Sequence, residues 1–155
     1  WSVARWLTLG GNATFSRNKI LDYVDMLADS PTYGKNLGTM TIAYSPDVVA
    51  SAYADFHVKG FEAVLRTQYV GKQYYDNTSS KDRSIPAYFV SDLSVGYEYS
   101  RMKVSLHVHN LFNHHYYADA WLWRAYFKNE DSFYTQTGIY PQAPVNAMLK
   151  VSIDF

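Results

Sequence analysis

Four histidines crowd into nine residues in "HVHNLFNHH", at His107, His109, His114 and His115. Imidazole nitrogens are frequent metal and haem ligands. His107 and His109 stand at i, i+2, so on a strand they share one face. A polar strand face bathed in water would accept the same residues with no ligand at all. That simpler reading is adopted, and neither metal nor cofactor is assigned. A second cluster is "WLWRAYFKNEDSFY" at 121–134. Trp121, Trp123 and Tyr126 offer ring faces for stacking. Arg124 offers a fork that can grip a carboxylate or an anionic chelate. These four are the candidate substrate contacts, with Phe127 and Lys128 beside them. Loop-on-loop packing would use the same residue types. Enzymatic chemistry finds little support. There is no Gly-x-Ser-x-Gly elbow and no phosphate-binding loop. Ser105 and His107 could serve a strand-borne hydrolase only from a polar face, so the chain is read as no enzyme.

Composition narrows the classes. The 155 residues carry 14 basic and 14 acidic side chains, so no basic stripe points to nucleic acid. Cysteine is absent, which excludes disulfides and thiolate metal sites. The opening "WSVARWLTLGG" lacks an initiator Met and a signal-like run, as expected of a processed chain or a piece of a longer one. No apolar run approaches the roughly 20 residues that a transmembrane helix needs. Aromatic residues make up 17% of the chain, 15 of them tyrosine, a composition that suits strands at wet–dry boundaries.

The elements that would position these residues are strands, because the hydrophobic period is close to 2. Six are predicted, at about 5–17, 39–58, 61–75, 88–99, 102–112 and 146–155. Each has an apolar face: Leu7, Leu9, Ala13 and Phe15; then Ala50, Ala52, Ala54, Phe56 and Val58; then Phe61, Ala63, Leu65 and Tyr69. The last three contribute Leu93, Val95, Tyr97 and Tyr99; Met102, Val104, Leu106 and Val108; and Leu149, Val151, Ile153 and Phe155. Glu62, Arg66, Asp92 and Glu98 fall on the polar face. Pro46 in "SPD" predicts a bend in the second strand. Lys59-Gly60 and Ser100-Arg101 predict tight hairpins, each flanked by residues of the apolar face. The connections 18–38, 76–87 and 113–145 are predicted to be long loops. Tight and long connections alternate, so all long loops fall at one end of the sheet.

Antiparallel strands with one apolar and one polar face, short turns at one end, long loops at the other and aromatics near both ends describe a transmembrane β-barrel. The periplasmic girdle would hold Tyr97, Tyr99, Phe56, Phe61 and Phe155. The outer one would hold Tyr69, Tyr74, Tyr75, Tyr116 and Tyr117. A soluble β-sandwich also alternates, but its loops need not segregate by length.

Specific segments sharpen this. "GNATFSRNKILDY", "SPDVVASAYADF", "YVGKQYYDN", "VHNLFNHHYYADAW" and "YPQAPVNAMLKVSIDF" occur in that order. Together they resemble the closing strands of TonB-dependent outer-membrane receptors. The resemblance implies the last six strands of a barrel of about 22 strands. It implies an outer-membrane location in a Gram-negative bacterium and a plug domain with a TonB-contacting box in a preceding part. It also implies active import of a scarce nutrient: a siderophore, haem, cobalamin or an oligosaccharide. Residues 1–155 would then be one C-terminal barrel segment, unable to close a pore alone. Its partners would be membrane lipid, its own plug and remaining strands, TonB, the substrate and the barrel-assembly machinery. That machinery would read the terminal Leu149, Val151, Ile153 and Phe155. A non-transporting barrel acting as a binding or adhesin-like module is the alternative.

Overall fold

A computed structural model describes residues 1–26, 30, 32–126 and 133–155. The first strands are β1 (Ser2–Ala4), β2 (Leu7–Phe15), β3 (Lys19–Ile20), β4 (Met40–Thr41), β5 (Val48–Val58) and β6 (Phe61–Val70). There follow β7 (Gln73–Tyr74), β8 (Ser84–Ile85), β9 (Tyr88–Tyr99), β10 (Met102–His109), β11 (Tyr117–Tyr126), β12 (Phe133–Pro141) and β13 (Asn146–Ile153). The main sheet has seven strands in the order β1-β2-β5-β6-β9-β10-β13. Every pairing is antiparallel. Its six long strands run 8 to 12 residues, close to the roughly 9–11 that a tilted strand needs to cross a bilayer. The short β1 is an addition to the predicted set. Three residues are too few to show alternation, and Arg5 lies in the β1–β2 turn instead of in a strand.

The register carries the face assignment across the whole sheet. Leu9 opposes Ala54, which opposes Leu65, which opposes Leu93. Leu93 opposes Val108, which opposes Ala147. One row nearer the tight turns, Ala63, Val95, Leu106 and Leu149 form the same kind of chain. A slip of one residue in any pair would move a strand's apolar set to the other face. No pair slips. Yet the described residues give this face no cover: Leu149 is 67% exposed and Val151 55%. Among the described residues only Val70, Ile85 and Ala120 are buried hydrophobics. A sandwich would lay a second sheet on this face, and here the face is open.

Both tight hairpins pair as expected, Val58 with Phe61 and Tyr99 with Met102. Lys59 and Ser100 take the left-handed conformation, with φ of 52° and 56°. The glycine has a different task. A Cβ at Gly60 would sit 2.1 Å from the Glu98 carbonyl oxygen, because the turn lies against β9. The Glu98 amide donates to the Gly60 carbonyl at 2.8 Å.

Several strands end earlier than predicted. The 39–58 run divides at residues 42–47, where the Tyr44 amide turns away to the Tyr74 carbonyl at 2.7 Å. The 61–75 strand stops at Val70, and Gln73–Tyr74 pairs with Ser84–Ile85 instead. The 102–112 strand stops at His109 because Asn110 turns left-handed at φ 50°. Strand β13 ends at Ile153 rather than 155, with one further bond from the Asp154 amide to the Arg101 carbonyl at 2.9 Å. The largest correction concerns 113–145. It is not a plain loop but holds the β11–β12 hairpin, registered from Tyr117–Pro141 to Tyr126–Phe133. Each long connection contains its own two-stranded sheet, β3–β4, β7–β8 or β11–β12.

Candidate functional site

The long connections assemble from short polar devices. The Asp76 carboxylate accepts from the Thr78 amide at 3.0 Å, the Thr78 hydroxyl at 2.7 Å and Arg83 Nη1 at 2.7 Å. This ties the 75–84 segment into a knot, and Ile85 beside it is fully buried. The fully buried Asp25 accepts from the Thr32 hydroxyl at 2.6 Å. Asn110 bridges three segments through the His114 amide and carbonyl, both at 2.9 Å, and the Ala143 carbonyl at 3.1 Å.

The β11–β12 hairpin is clamped to these connections. The Tyr44 hydroxyl donates to the Ala120 carbonyl, and Gln73 Nε2 donates to the Ala118 carbonyl at 3.4 Å. Alternation divides the candidate residues. Trp121 and Trp123 share one face of the hairpin, opposite Gly138 and Gln136. Positions 124 and 126, opposite 135 and 133, belong to the other face. Trp123 meets Tyr134 edge-on at 6.1 Å. The Trp121 indole lies across Gly138, where an added Cβ would come within 2.2 Å of Nε1. Phe127 and Lys128 lie outside the described residues.

Trp121, Tyr140, Tyr44 and Asp119 line a cleft of about 440 Å³, floored by Ala118 and Ala120. Sequence reasoning missed Tyr44, Asp119, Gly138 and Tyr140. The readable signal was "AWLW" facing "TQTGIY", two β-forming runs with aromatics at spacing 2. Burial first, then the neighbouring Asp119, pushes the Tyr44 phenol above its usual range.

The histidines scatter. His107 Nδ1 sits 2.9 Å from the Ser94 hydroxyl, and His109 Nδ1 lies 3.7 Å from Asp92. His114 stacks on Tyr116 at 6.1 Å, and Tyr116 stacks on Tyr88 at 4.6 Å. Among the described residues no three His, Asp or Glu side chains gather as a metal-holding group. On the polar face of the sheet, Glu62 reaches over β9 to Lys103 at 2.9 Å. Gly96 makes that crossing possible, since a Cβ there would stand 2.6 Å from Glu62 Oε1. Among the described residues Arg66 has no ion-pair partner, although Asp92 stands opposite it. The Glu62–Lys103 pair is well exposed, so it contributes little. Glu62→Gln and Gly96→Ala are each expected to cost under about 1 kcal/mol, measured by urea unfolding of the full receptor. A loss of several kcal/mol in either would show that the pair holds the sheet together.

The aromatic belt at the tight-turn end is continuous. Phe56 lies 5.5 Å from Trp6 and 5.9 Å from Phe61, both edge-on, and Phe61 opposes Tyr97. Residues 1–111 match the family described as "TonB dependent receptor-like, beta-barrel". The chain belongs to this TonB-dependent receptor family. No curated protein matches the sequence. Solved structures similar to it in fold are import, uptake and siderophore receptors. The siderophore receptor PiuA from Acinetobacter baumannii is 14% identical, with a TM-score of 0.68 over 97% of this chain and 20% of its own. The ferric-catecholate import receptor Fiu from K12 E. coli is 17% identical, with a TM-score of 0.66 over 99% of this chain and 19% of its own. The ferric yersiniabactin uptake receptor FyuA from Yersinia pestis is 19% identical, with a TM-score of 0.62 over 100% of this chain and 22% of its own. The chain therefore spans about a fifth of the length of these receptors. At these identities the likeness establishes the fold: an all-β, antiparallel segment of a TonB-dependent receptor barrel. The family is one of receptors, not of enzymes.

Proposed function

We propose that these residues form the closing part of an outer-membrane receptor barrel that imports a scarce nutrient with energy passed through TonB. One observation carries this reading. An apolar face runs in unbroken register across six strands, uncovered by the described residues, and opposes a polar face bearing Glu62, Arg66, Asp92 and Lys103. Lipid would cover the first face, and the plug and lumen water would meet the second. Arg66 is then a natural contact for the plug. Trp121, Trp123, Arg124 and Tyr126 supply substrate contacts from the hairpin at the loop end, which would be extracellular. The substrate is a siderophore, haem, cobalamin or an oligosaccharide. A non-transporting barrel would present the same sheet, so the deciding test is energetic. Uptake by cells carrying the full-length receptor is expected to stop when TonB is removed, while surface binding persists. Uptake that continues without TonB would overturn the energised-import reading, and surface binding with no uptake in either strain would leave only the binding-module reading.

The assembly machinery is proposed to read Leu149, Val151, Ile153 and Phe155. Phe155 is 109% exposed and lies beyond β13, so it packs against none of the described residues. Phe155→Ala is accordingly expected to reduce the fraction of assembled barrel in cells while leaving its melting temperature nearly unchanged. Heat-modifiability on gels measures the first and thermal unfolding of purified barrel the second. Normal assembly with a strongly lowered melting temperature would make Phe155 an ordinary packing residue.

A further inference from the structure

We infer that the cleft between the β11–β12 hairpin and Tyr44 is a binding site for a neutral sugar ring. This inference rests on the import reading and names its substrate class.

The cleft has a stacking platform. Trp121 lies across Gly138 and is still 37% exposed. A ring held against backbone on one side and open on the other loses little entropy when a ligand stacks on it. The apolar C–H face of a pyranose suits such a surface. Tyr140, on the same hairpin face by register, extends it. The cleft also has a rigid acceptor. Asp119 Oδ1 accepts the Ala120 amide at 2.7 Å, which orients the carboxylate and leaves acceptor capacity for sugar hydroxyls. Tyr44 lines the third side. Its backbone is held left-handed at φ 53°, a costly conformation for a bulky residue. The bonds to the Ala120 carbonyl and from its amide to the Tyr74 carbonyl hold it there.

Electrostatics selects among ligands. The lining residues Tyr44, Ala118, Asp119, Ala120, Trp121 and Tyr140 include one carboxylate and no cation. An anionic ferric chelate would be desolvated against Asp119, and none of the described lining residues carries a cation to compensate it. A neutral polyol instead donates to Asp119 and stacks on Trp121. A roughly 440 Å³ cleft accommodates one or two sugar rings.

The test uses the full-length receptor purified in detergent. The probes are neutral oligosaccharides (maltohexaose, cellohexaose, xylohexaose and mannohexaose) and two anionic complexes, a ferric catecholate and ferric citrate. Calorimetry gives the affinities. At least one neutral probe is expected to bind with a dissociation constant below about 1 mM. Trp121→Ala, Asp119→Asn and Gly138→Ala are each expected to weaken it about tenfold or more. Gly138→Ala keeps the indole and only lifts it from its seat, so its loss reports positioning. Normal melting temperatures and antiparallel circular dichroism confirm that each variant folds. Two results would overturn the proposal: no neutral probe binding below that limit, or a ferric complex whose affinity falls in Trp121→Ala and rises in Asp119→Asn. Failure of the import reading looks different: the sugar would bind through the cleft, but its uptake would be indifferent to TonB.

Discussion

Arginine at position 65 is expected to lower the unfolding free energy of the full-length receptor in lipid by about 2–4 kcal/mol. Leu65 lies on β6 midway between Phe61 and Tyr69, all three on the same face. If those aromatics mark the two interfaces, Leu65 sits near the centre of the hydrocarbon, whatever the strand tilt. A guanidinium there has neither water nor a counter-ion within easy reach. Its neighbours across the ladder are Ala54 and Leu93, which offer no acceptor. Ile153 provides the internal comparison. It ends β13 opposite Met102, beside the tight turn at Ser100. Arginine at 153 can extend its charge into the headgroups and is expected to cost about 0–1 kcal/mol. Urea unfolding from lipid vesicles measures both. Equal costs at the two positions would mean that the open face does not meet a bilayer at this depth.

Gly60→Ala is expected to cost about 3 kcal/mol, the upper end of overpacking in a well-fitted site. The physical reason is the nature of the atom it meets. The added Cβ would fall 2.1 Å from the carbonyl oxygen of Glu98, and that oxygen belongs to a ladder strand. The β5–β6 turn would have to lift, losing the 2.8 Å bond from the Glu98 amide to the Gly60 carbonyl. Gly96→Ala makes the contrast. There the obstacle is the Glu62 side chain, whose end can swing aside. Two glycines in neighbouring parts of one sheet should therefore differ several-fold in cost. Equality within about 0.5 kcal/mol would show that the β5–β6 turn shifts freely and that its approach to β9 is not a constraint.

Strand periodicity was legible because one face of the sheet must be apolar along its whole length. Alternation in a sequence is then enough to fix both face and register, and the hairpins at Lys59 and Ser100 cross-check each other. Strand ends were less legible. Pro46 marked a bend near residues 45–47, but how far the ladder is broken there, and its end at Asn110, depend on bonds to distant segments. The β11–β12 hairpin was hidden for a related reason. Its flanking segments resemble loop, and it is docked by bonds from Tyr44 and Gln73, tens of residues away in the chain.

The candidate site divides in the same way. Residue types at 121 and 123 marked an aromatic surface from the sequence alone. Which residues share that surface depended on whether the segment is a loop or a strand. As a strand, it brings Trp121 and Trp123 together and sends positions 124 and 126 to the opposite face. Asp119 and Tyr140 then join Trp121 through the hairpin register, and Tyr44 arrives from 76 residues away. The sequence by itself determined a two-faced antiparallel sheet, because an alternating pattern has only one way to keep its apolar side together. Only the tertiary structure decided the cleft, because its chemistry is a juxtaposition of three segments, and juxtaposition across a chain leaves no period to read.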